Sequence, residues 1–334
     1  MSGRILVSAR ELQLSRDQER KSAPLVALPR ASAPGRIVKN PKQKIVPYLF
    51  IAPHLLVFIV FLVIPTILGI WISLHSWDYL TPAKFVGLRN YVKLFTTGID
   101  HTNFVAGMKN TFIFVLITVP INVVLSLTIA SMLNNMGRVK NILRLMFYFP
   151  VVLSVTCVVT SWEFLSNMNN GVINYYLKAL FGMKPVAWNT KQPYLLAILV
   201  IMTIWWTIGR NILYYLAGLT DIPPQLYEAS ALDGANKIQQ FFYITIPGIM
   251  RVLLFVIVVE TIAQFNIFGQ QHLYVGDQFR VEVKSARVAL MVIRDTAFKE
   301  FRMGMSSAMS ILLGIIIIVF TSIQFKMFVS PSDK

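Results

Sequence analysis

The chain has 334 residues, 55% of them hydrophobic and only 14% charged, with a formal net charge of +16. This composition is far too apolar for a soluble domain of that length, so it excludes an ordinary soluble globular protein. Because the apolar residues come in long blocks, the positive charge is typical of membrane topology and anionic-lipid contact rather than of nucleic-acid binding.

Residues 1–44 form a polar segment ahead of the first apolar block. They contain ten Lys and Arg residues against three acidic residues, and four prolines that interrupt any helix. An apolar stretch that begins this late does not fit a cleavable signal peptide. We therefore expect a disordered basic tail at 1–44 that stays on the cytoplasmic side of the membrane.

Apolar stretches follow that are each about 20 residues or longer, enough to cross a hydrocarbon core of roughly 30 Å. Six are present, near 47–74, 108–133, 145–165, 193–219, 247–269 and 303–326. Prolines inside them or at their ends predict kinks or helix starts, at Pro53, Pro65, Pro120 and Pro150. The sequence thus predicts an all-α polytopic membrane protein, with six transmembrane helices in 45–328 and a short cytoplasmic C-terminus at 329–334.

A cytoplasmic tail fixes the expected side of every loop. The 134–144 loop then lies inside and carries basic residues without an acid, as the positive-inside rule requires. The loops at 75–107, 166–192 and 270–302 lie outside. The last has a basic excess that opposes the rule, and two interpretations stay open for it: a solvated mixed-charge surface, or attraction of an acidic ligand or acidic docking protein.

The polar segment 221–247 between the fourth and fifth spans, called the bracket below, carries strong helix signals. Its Pro-Pro pair at 223–224 suits the first turn of a helix, and Asp221 is placed to cap that turn. Gly234 can adopt the left-handed conformation that stops a helix, and Asn236 can cap a second short helix. We expect two short helices lying at the membrane surface, where a partner outside the membrane can touch them.

The bracket resembles the EAA loop of binding-protein-dependent ABC importer permeases, whose pattern runs roughly I-P-x-x-L-x-E-A-A-x-x-D-G-A, then F, then I-x-L-P. Two positions differ conservatively, with Ser230 in place of the second Ala and Ile246 in place of the Leu. The matching residues are Ile222, Pro223, Leu226, Glu228, Ala229, Asp233, Gly234, Ala235, Phe241, Ile244 and Pro247.

Further segments extend this resemblance from about residue 45 to 328 and place the chain nearest the MalF-like sugar permeases. They are Phe85-Val-Gly-Leu-Arg-Asn-Tyr91, Lys109-Asn-Thr111 and the start of the sixth span at Met303–Met309. The segment after the fifth span departs from the family, since Tyr274–Phe279 stands where relatives carry a Gly-Gly-Pro loop. The identity of the sugar is therefore left open.

The resemblance implies a type I ABC importer in the bacterial cytoplasmic (inner) membrane. Its parts would be this permease, a second permease subunit, two ATPase subunits and an external substrate-binding protein. The bracket would dock into a cleft of one ATPase through Glu228, Ala229, Ser230, Asp233, Gly234 and Ala235. The sequence has no G-x-x-x-x-G-K-[ST] phosphate loop. We therefore expect a non-enzymatic subunit that binds no cofactor, with ATP and Mg²⁺ used by the partner ATPase.

Ionisable residues inside spans need partners or a function. Arg210 and Glu260 lie at depths of roughly 14 and 20 Å from the cytoplasmic side, so their side chains can meet. They form either a buried structural ion pair or part of a substrate path. Aromatic rings and amides at similar depth suit sugar binding. The candidate path residues are Trp205, Trp206, Arg210, Asn211, Tyr214, Glu260, Gln264 and Asn266.

Two other transport functions remain as alternatives. One is an ABC permease for a non-sugar solute, such as an amino acid or phosphate. The other is an ion-coupled secondary transporter, which would need a repeated half that the sequence does not show. No metal-ligand spacing and no catalytic motif is present in the sequence.

Overall fold

The computed structural model describes residues 41–137, 139–190, 192–275 and 286–328. Most of the predicted tail, the predicted C-terminal segment 329–334 and part of the 270–302 loop lie outside these ranges. The first helix begins at Pro41, within the last residues of the segment predicted as a tail. The chain divides into two compact units between Leu62 and Val63.

The first unit contains α1 (Pro41–Phe58), which runs into a π-helical turn (Ile59–Val63). The second unit holds the rest of the described chain and is almost entirely helical. Its elements are α2 (Ile64–Ser73), β1 (His75–Ser76), β2 (Lys84–Phe85), α3 (Arg89–Phe95), α4 (Ile99–Asn134), α5 (Val139–Val152), α6 (Val155–Leu165), α7 (Val172–Phe181), α8 (Tyr194–Thr220), α9 (Pro224–Leu232), α10 (Lys237–Gln240), a π-helical turn (Phe241–Thr245), α11 (Ile246–Gly248), α12 (Met250–Phe265), α13 (Gly269–Val275), α14 (Ala289–Phe298) and α15 (Met303–Phe328). The two short strands pair antiparallel, with His75 opposite Phe85.

Helices in the described part of the chain confirm the predicted all-α membrane fold. Five are long and apolar enough to cross a membrane by length and composition: Phe50–Ser73, Ile99–Asn134, Tyr194–Thr220, Met250–Val275 and Met303–Met327. The third predicted span, near 145–165, corresponds to a bent pair, α5 and α6, which meet at 98°. Pro150 removes a helical donor near the end of α5, and Ser154 caps the start of α6 by accepting from the Cys157 N–H at 3.3 Å.

The 36-residue helix α4 runs through the centre of the bundle and packs against α8, α12 and α14. Its buried stripe is not purely apolar, because Thr118, Asn122 and Ser126 are fully buried within it. Residues three or four apart share one face of a helix, so these polar groups point into the same region of the bundle. The polar interior of the protein is therefore built from α4 outward.

The backbones of α5 and α8 lie in close contact at Gly209. A Cβ atom on Gly209 would collide with the backbone carbonyl oxygen of Phe147 on α5. Only a glycine lets the two backbones approach this closely. Arg210 follows Gly209 directly in the chain, so this contact also positions the backbone that carries the Arg210 guanidinium.

Candidate functional site

The carboxylate of Glu260, on α12, is fully buried and accepts hydrogen bonds from four side chains. Its Oε2 accepts from Arg210 Nη2 at 2.9 Å and from Asn211 Nδ2 at 3.1 Å. Its Oε1 accepts from Gln264 Nε2 at 2.7 Å and from Asn122 Nδ2 at 2.8 Å. This cluster, called the Glu260 cluster below, joins α4, α8 and α12.

These four hydrogen-bond donors explain how the Glu260 carboxylate can be buried in the interior of the protein. An ionised carboxylate inside a protein loses several kcal/mol of hydration unless a cation and further hydrogen bonds replace the water. In the Glu260 cluster each oxygen receives two donors, and Arg210 supplies the opposite charge. The cluster is therefore neutral as a whole, and the proximity expected from the depths of Arg210 and Glu260 is observed.

A cavity of about 340 Å³ opens beside the Glu260 cluster. The Arg210 side chain is 32% exposed, whereas Glu260 lies behind it without exposure. The cavity wall combines an indole, a hydroxyl, a guanidinium and amides, contributed by Trp206, Thr207, Arg210, Gln264, Asn266 and Gln270. A concave site with an aromatic wall and a few convergent polar groups is the usual form of a small-molecule binding site.

Hydrogen bonds hold several of these walls in place. Trp206 Nε1 donates to the Leu153 carbonyl oxygen at 3.2 Å, which ties the indole to the bend between α5 and α6. Gln270 Nε2 donates to Thr203 Oγ1 at 3.3 Å, which ties α13 to α8. The cavity is thus bounded by the bent span on one side and by α8, α12 and α13 on the others.

Of the eight predicted path residues, six lie at the cavity or next to it and two lie elsewhere. Trp206, Arg210, Gln264 and Asn266 line the cavity, and Asn211 and Glu260 are buried next to it. Trp205 and Tyr214 do not line it: Trp205 borders an apolar groove, and Tyr214 packs edge-on against Phe255 with ring centroids 5.3 Å apart.

Sequence reasoning missed two polar residues of the cavity wall. Thr207 precedes Arg210 by three residues, so helical spacing alone could have placed both on one face. Gln270 gave no such signal, because it lies just beyond the predicted end of the fifth span, and the fold brings α13 back against α8.

The bracket has the two short helices that were predicted, with one correction. Asp221 does not cap α9; it is the C-cap residue of α8, and α9 begins after Pro223, which makes no side-chain cap. Gly234 adopts a φ of +80°, in the left-handed region, one residue beyond Asp233, the C-cap residue of α9. Asn236 caps α10 in a reciprocal capping box with Gln239, with bonds of 2.9 and 2.8 Å.

Side-chain hydrogen bonds lock the two arms of the bracket together. Gln240 is buried and its Nε2 donates to the Tyr227 carbonyl oxygen at 3.1 Å and to Ser230 Oγ at 3.0 Å. The Tyr227 and Thr245 hydroxyls lie 2.9 Å apart. Ser230, which departs from the family pattern, thus supplies an oxygen that the usual alanine lacks. The two arms of the bracket are therefore braced against each other.

The predicted coupling residues lie together on α9 and in the turn that follows it. Glu228, Ala229, Asp233 and Gly234 are exposed, and Ser230 and Ala235 are partly buried. The neighbouring Leu232 is 90% exposed. A cavity of about 920 Å³ separates the bracket from the end of α4.

The basic residues of the loop before α15 contact carboxylates where the structure describes them. The Asp295 carboxylate is 4% exposed and pairs with Arg287 at 2.8 Å, Arg294 at 3.3 Å and Lys299 at 3.4 Å. Arg302 donates twice to Asp100, at 2.7 Å each, and this hydrogen bonding raises the pKa of the Arg302 guanidinium. Residues 276–285 of this loop lie outside the described ranges.

Comparison with known proteins identifies the family to which the sequence is similar. Residues 100–328 match the family described as "Binding-protein-dependent transport system inner membrane component". The chain is 30% identical over 298 residues to the "Probable ABC transporter permease protein YurN" of Bacillus subtilis (strain 168), covering 88% of this chain and 99% of that protein. It is 30% identical over 281 residues to the trehalose/maltose transport system permease protein MalF of Thermococcus litoralis, covering 84% and 92%.

A solved structure agrees in fold with this chain. It is the crystal structure of a bacterial ABC transporter involved in the import of the acidic polysaccharide alginate. One of its chains superposes with a TM-score of 0.72 at 22% identity, covering 86% of this chain and 96% of that one. At this identity the agreement concerns the arrangement of helices.

Proposed function

This chain belongs to the family of inner membrane components of binding-protein-dependent transport systems, so it is a permease subunit, and we propose that the solute it carries is a saccharide. The observation that carries the proposal is the cavity beside the Glu260 cluster. A flat indole face from Trp206 suits stacking on a sugar ring, and amides from Gln264 and Asn266 suit paired hydrogen bonds to hydroxyl groups.

Charge at the cavity favours a neutral saccharide over an acidic one. The Arg210 cation already faces the Glu260 anion at 2.9 Å, so the cluster offers no net charge to an anionic ligand. The similarity to a permease named for trehalose and maltose agrees with an uncharged sugar. An acidic saccharide is the second candidate, because Arg210 is 32% exposed and the structural relative takes part in alginate import.

For the energy source, we propose that the bracket docks into a separate ATPase subunit. Its exposed acidic and apolar residues, above all Glu228, Asp233 and Leu232, offer a contact surface on a braced support. ATP and Mg²⁺ would be held by that partner, and this chain would hydrolyse no ATP itself. Two ATPases, a second permease and an external binding protein would complete the importer.

The position of the bracket also indicates which loops face the same side of the membrane. Asn134 and Asn135, at the end of α4, line one cavity together with Tyr227 and Glu228 of the bracket. The 134–144 loop and the bracket therefore face the same side, which a docked ATPase makes the cytoplasm. We also propose a cytoplasmic N-terminus, because two predicted spans precede this loop.

The test is uptake by proteoliposomes that contain the assembled importer. Binding protein loaded with a neutral malto-oligosaccharide is compared with binding protein loaded with a uronate oligosaccharide of the same length. We expect ATP-dependent uptake of the neutral sugar. Uptake of the uronate alone would establish the second candidate, and uptake of neither would contradict a saccharide permease.

A second measurement tests coupling through the bracket. Glu228→Arg reverses an exposed charge on α9 and is expected to abolish ATP-driven uptake while the complex still binds the loaded binding protein. Lys178→Glu on α7, which reverses a charge on the other side of the proposed membrane topology, is the control. Full uptake with Glu228→Arg would refute docking at this surface.

A further inference from the structure

An apolar groove of about 590 Å³ lies on the surface of the second unit, between α4, α5 and α8. Its walls include Leu125 from α4, Leu143 and Phe147 from α5, and Ile201, Ile204 and Trp205 from α8. The volume lies within the range of roughly 300–1,000 Å³ that is usual for ligand sites. The groove is separate from the cavity beside the Glu260 cluster, since Trp205 and Trp206 face different spaces.

Basic side chains stand at one end of this groove. Lys140 lies about one helical turn before Leu143, and Arg144 lies beside Leu143 and one turn before Phe147, so both are at the Leu143 end of the α5 face of the groove. Lys140 Nζ donates to Asn134 Oδ1 at 2.9 Å. Within the described ranges neither cation forms an ion pair, and Arg144 Nε is buried without a hydrogen-bond partner.

A long apolar groove that ends in two uncompensated cations has the chemistry of an anionic phospholipid. We propose that the groove binds the acyl chain of such a lipid and that Lys140 and Arg144 bind its phosphate. The side of the membrane rests on the proposed function, which places the 134–144 loop in the cytoplasm. The cytoplasmic leaflet is the one with a negative surface potential that attracts basic segments next to spans.

The cations are tested by native mass spectrometry of the assembled importer, titrated with phosphatidylglycerol or with phosphatidylcholine. The wild type should bind phosphatidylglycerol preferentially. Lys140→Gln combined with Arg144→Gln should weaken that binding about 30-fold, because each basic residue contributes on the order of a fivefold factor at an anionic surface.

The matched control is Lys326→Gln, which removes an exposed cation near the end of α15 and should not change lipid binding. Equal binding of both lipids, or no loss in the double variant, would overturn the proposal.

The groove itself is tested by filling it. Ile201 is 49% exposed along the groove, so Ile201→Trp should displace the acyl chain without changing any charge. A photoreactive p-benzoylphenylalanine at the same position should cross-link to lipid. Cross-linking to the partner permease instead would show that a protein helix occupies the groove and would refute the lipid site.

Saccharide uptake is measured on the same preparations, so that the two proposals can fail separately. Loss of the lipid preference in a complex that still takes up sugar refutes only the lipid site. A retained lipid preference in a complex that takes up no saccharide refutes only the substrate assignment.

Discussion

Arg210 donates a hydrogen bond of 2.9 Å to Glu260 from a position 50 residues away in the chain. The two partners differ in exposure, because Glu260 is fully buried and Arg210 is 32% exposed at the cavity. The carboxylate thus anchors the cation, while the guanidinium forms part of the cavity wall. A structural ion pair and a place in the solute path are therefore compatible functions of the same two residues.

Removing the anchor should affect both stability and transport. Glu260→Gln leaves Arg210 without its counter-ion, and we expect a loss of about 1–3 kcal/mol in stability, less than for a fully buried pair because Arg210 is partly hydrated. The loss should shrink when Arg210→Met is added, and a double-mutant cycle read by thermal unfolding of the purified importer measures this coupling. Additive effects of the two changes would show that the contact contributes nothing.

Neighbouring tryptophans on α8 provide a matched test of the solute path. Trp206 lines the polar cavity and Trp205 borders the apolar groove. Trp206→Ala should raise the apparent KM for saccharide uptake about tenfold, which corresponds to roughly 1.4 kcal/mol of lost stacking. Trp205→Ala should leave the KM unchanged. Equal effects of the two variants would place the sugar elsewhere.

The left-handed residue of the bracket is expected to be needed for coupling. Gly234 has a φ of +80°, and a β-branched residue there costs roughly 1–2 kcal/mol and shifts α9 against α10. Gly234→Val should reduce the stimulation of ATP hydrolysis by the loaded binding protein. Gly182, at the end of α7, has a φ of +63°, so Gly182→Val carries a similar backbone strain outside the bracket. If Gly182→Val uncouples hydrolysis equally, the effect is general destabilisation.

The close contact between α5 and α8 predicts that a single added methyl group will lower the stability of the protein strongly. Gly209→Ala drives a methyl group into the backbone of α5 at Phe147, and we expect a destabilisation of about 3 kcal/mol, at the upper end of overpacking effects. Gly314→Ala is the control, because nothing lies within 4 Å of the position that its Cβ would take and alanine favours a helix. The midpoints of thermal unfolding compare the two. Unchanged stability in Gly209→Ala would mean that α5 can move away freely.

Much of this organisation follows from local patterns in the sequence. The spans are recognisable because an apolar stretch of 20 residues has few stable alternatives in a membrane. The cap at Asn236 and the turn at Gly234 depend on neighbouring residues alone, and they were predictable for that reason. The role assigned to Asp221 was wrong, because whether a residue ends one helix or starts the next depends on how both helices pack.

The solute path shows the limit of such patterns. Composition placed both Trp205 and Trp206 among the candidate path residues, since both fit the same span. Consecutive residues of a helix point about 100° apart, and the packed bundle places Trp205 at the groove between α4, α5 and α8 and Trp206 at the cavity bounded by α12 and α13. Gln270 enters the cavity wall only because α13 folds back.

The sequence by itself determined the class of this protein: a six-span permease, a bracket with two short helices and no nucleotide-binding motif of its own. Tertiary structure decided which side chains meet. Asn122, Arg210 and Gln264 converge on Glu260 from three helices, and a buried carboxylate selects its partners by geometry in three dimensions. Local sequence sets helix boundaries because those energies are short-ranged, whereas burial and charge pairing depend on contacts that only the packed bundle creates.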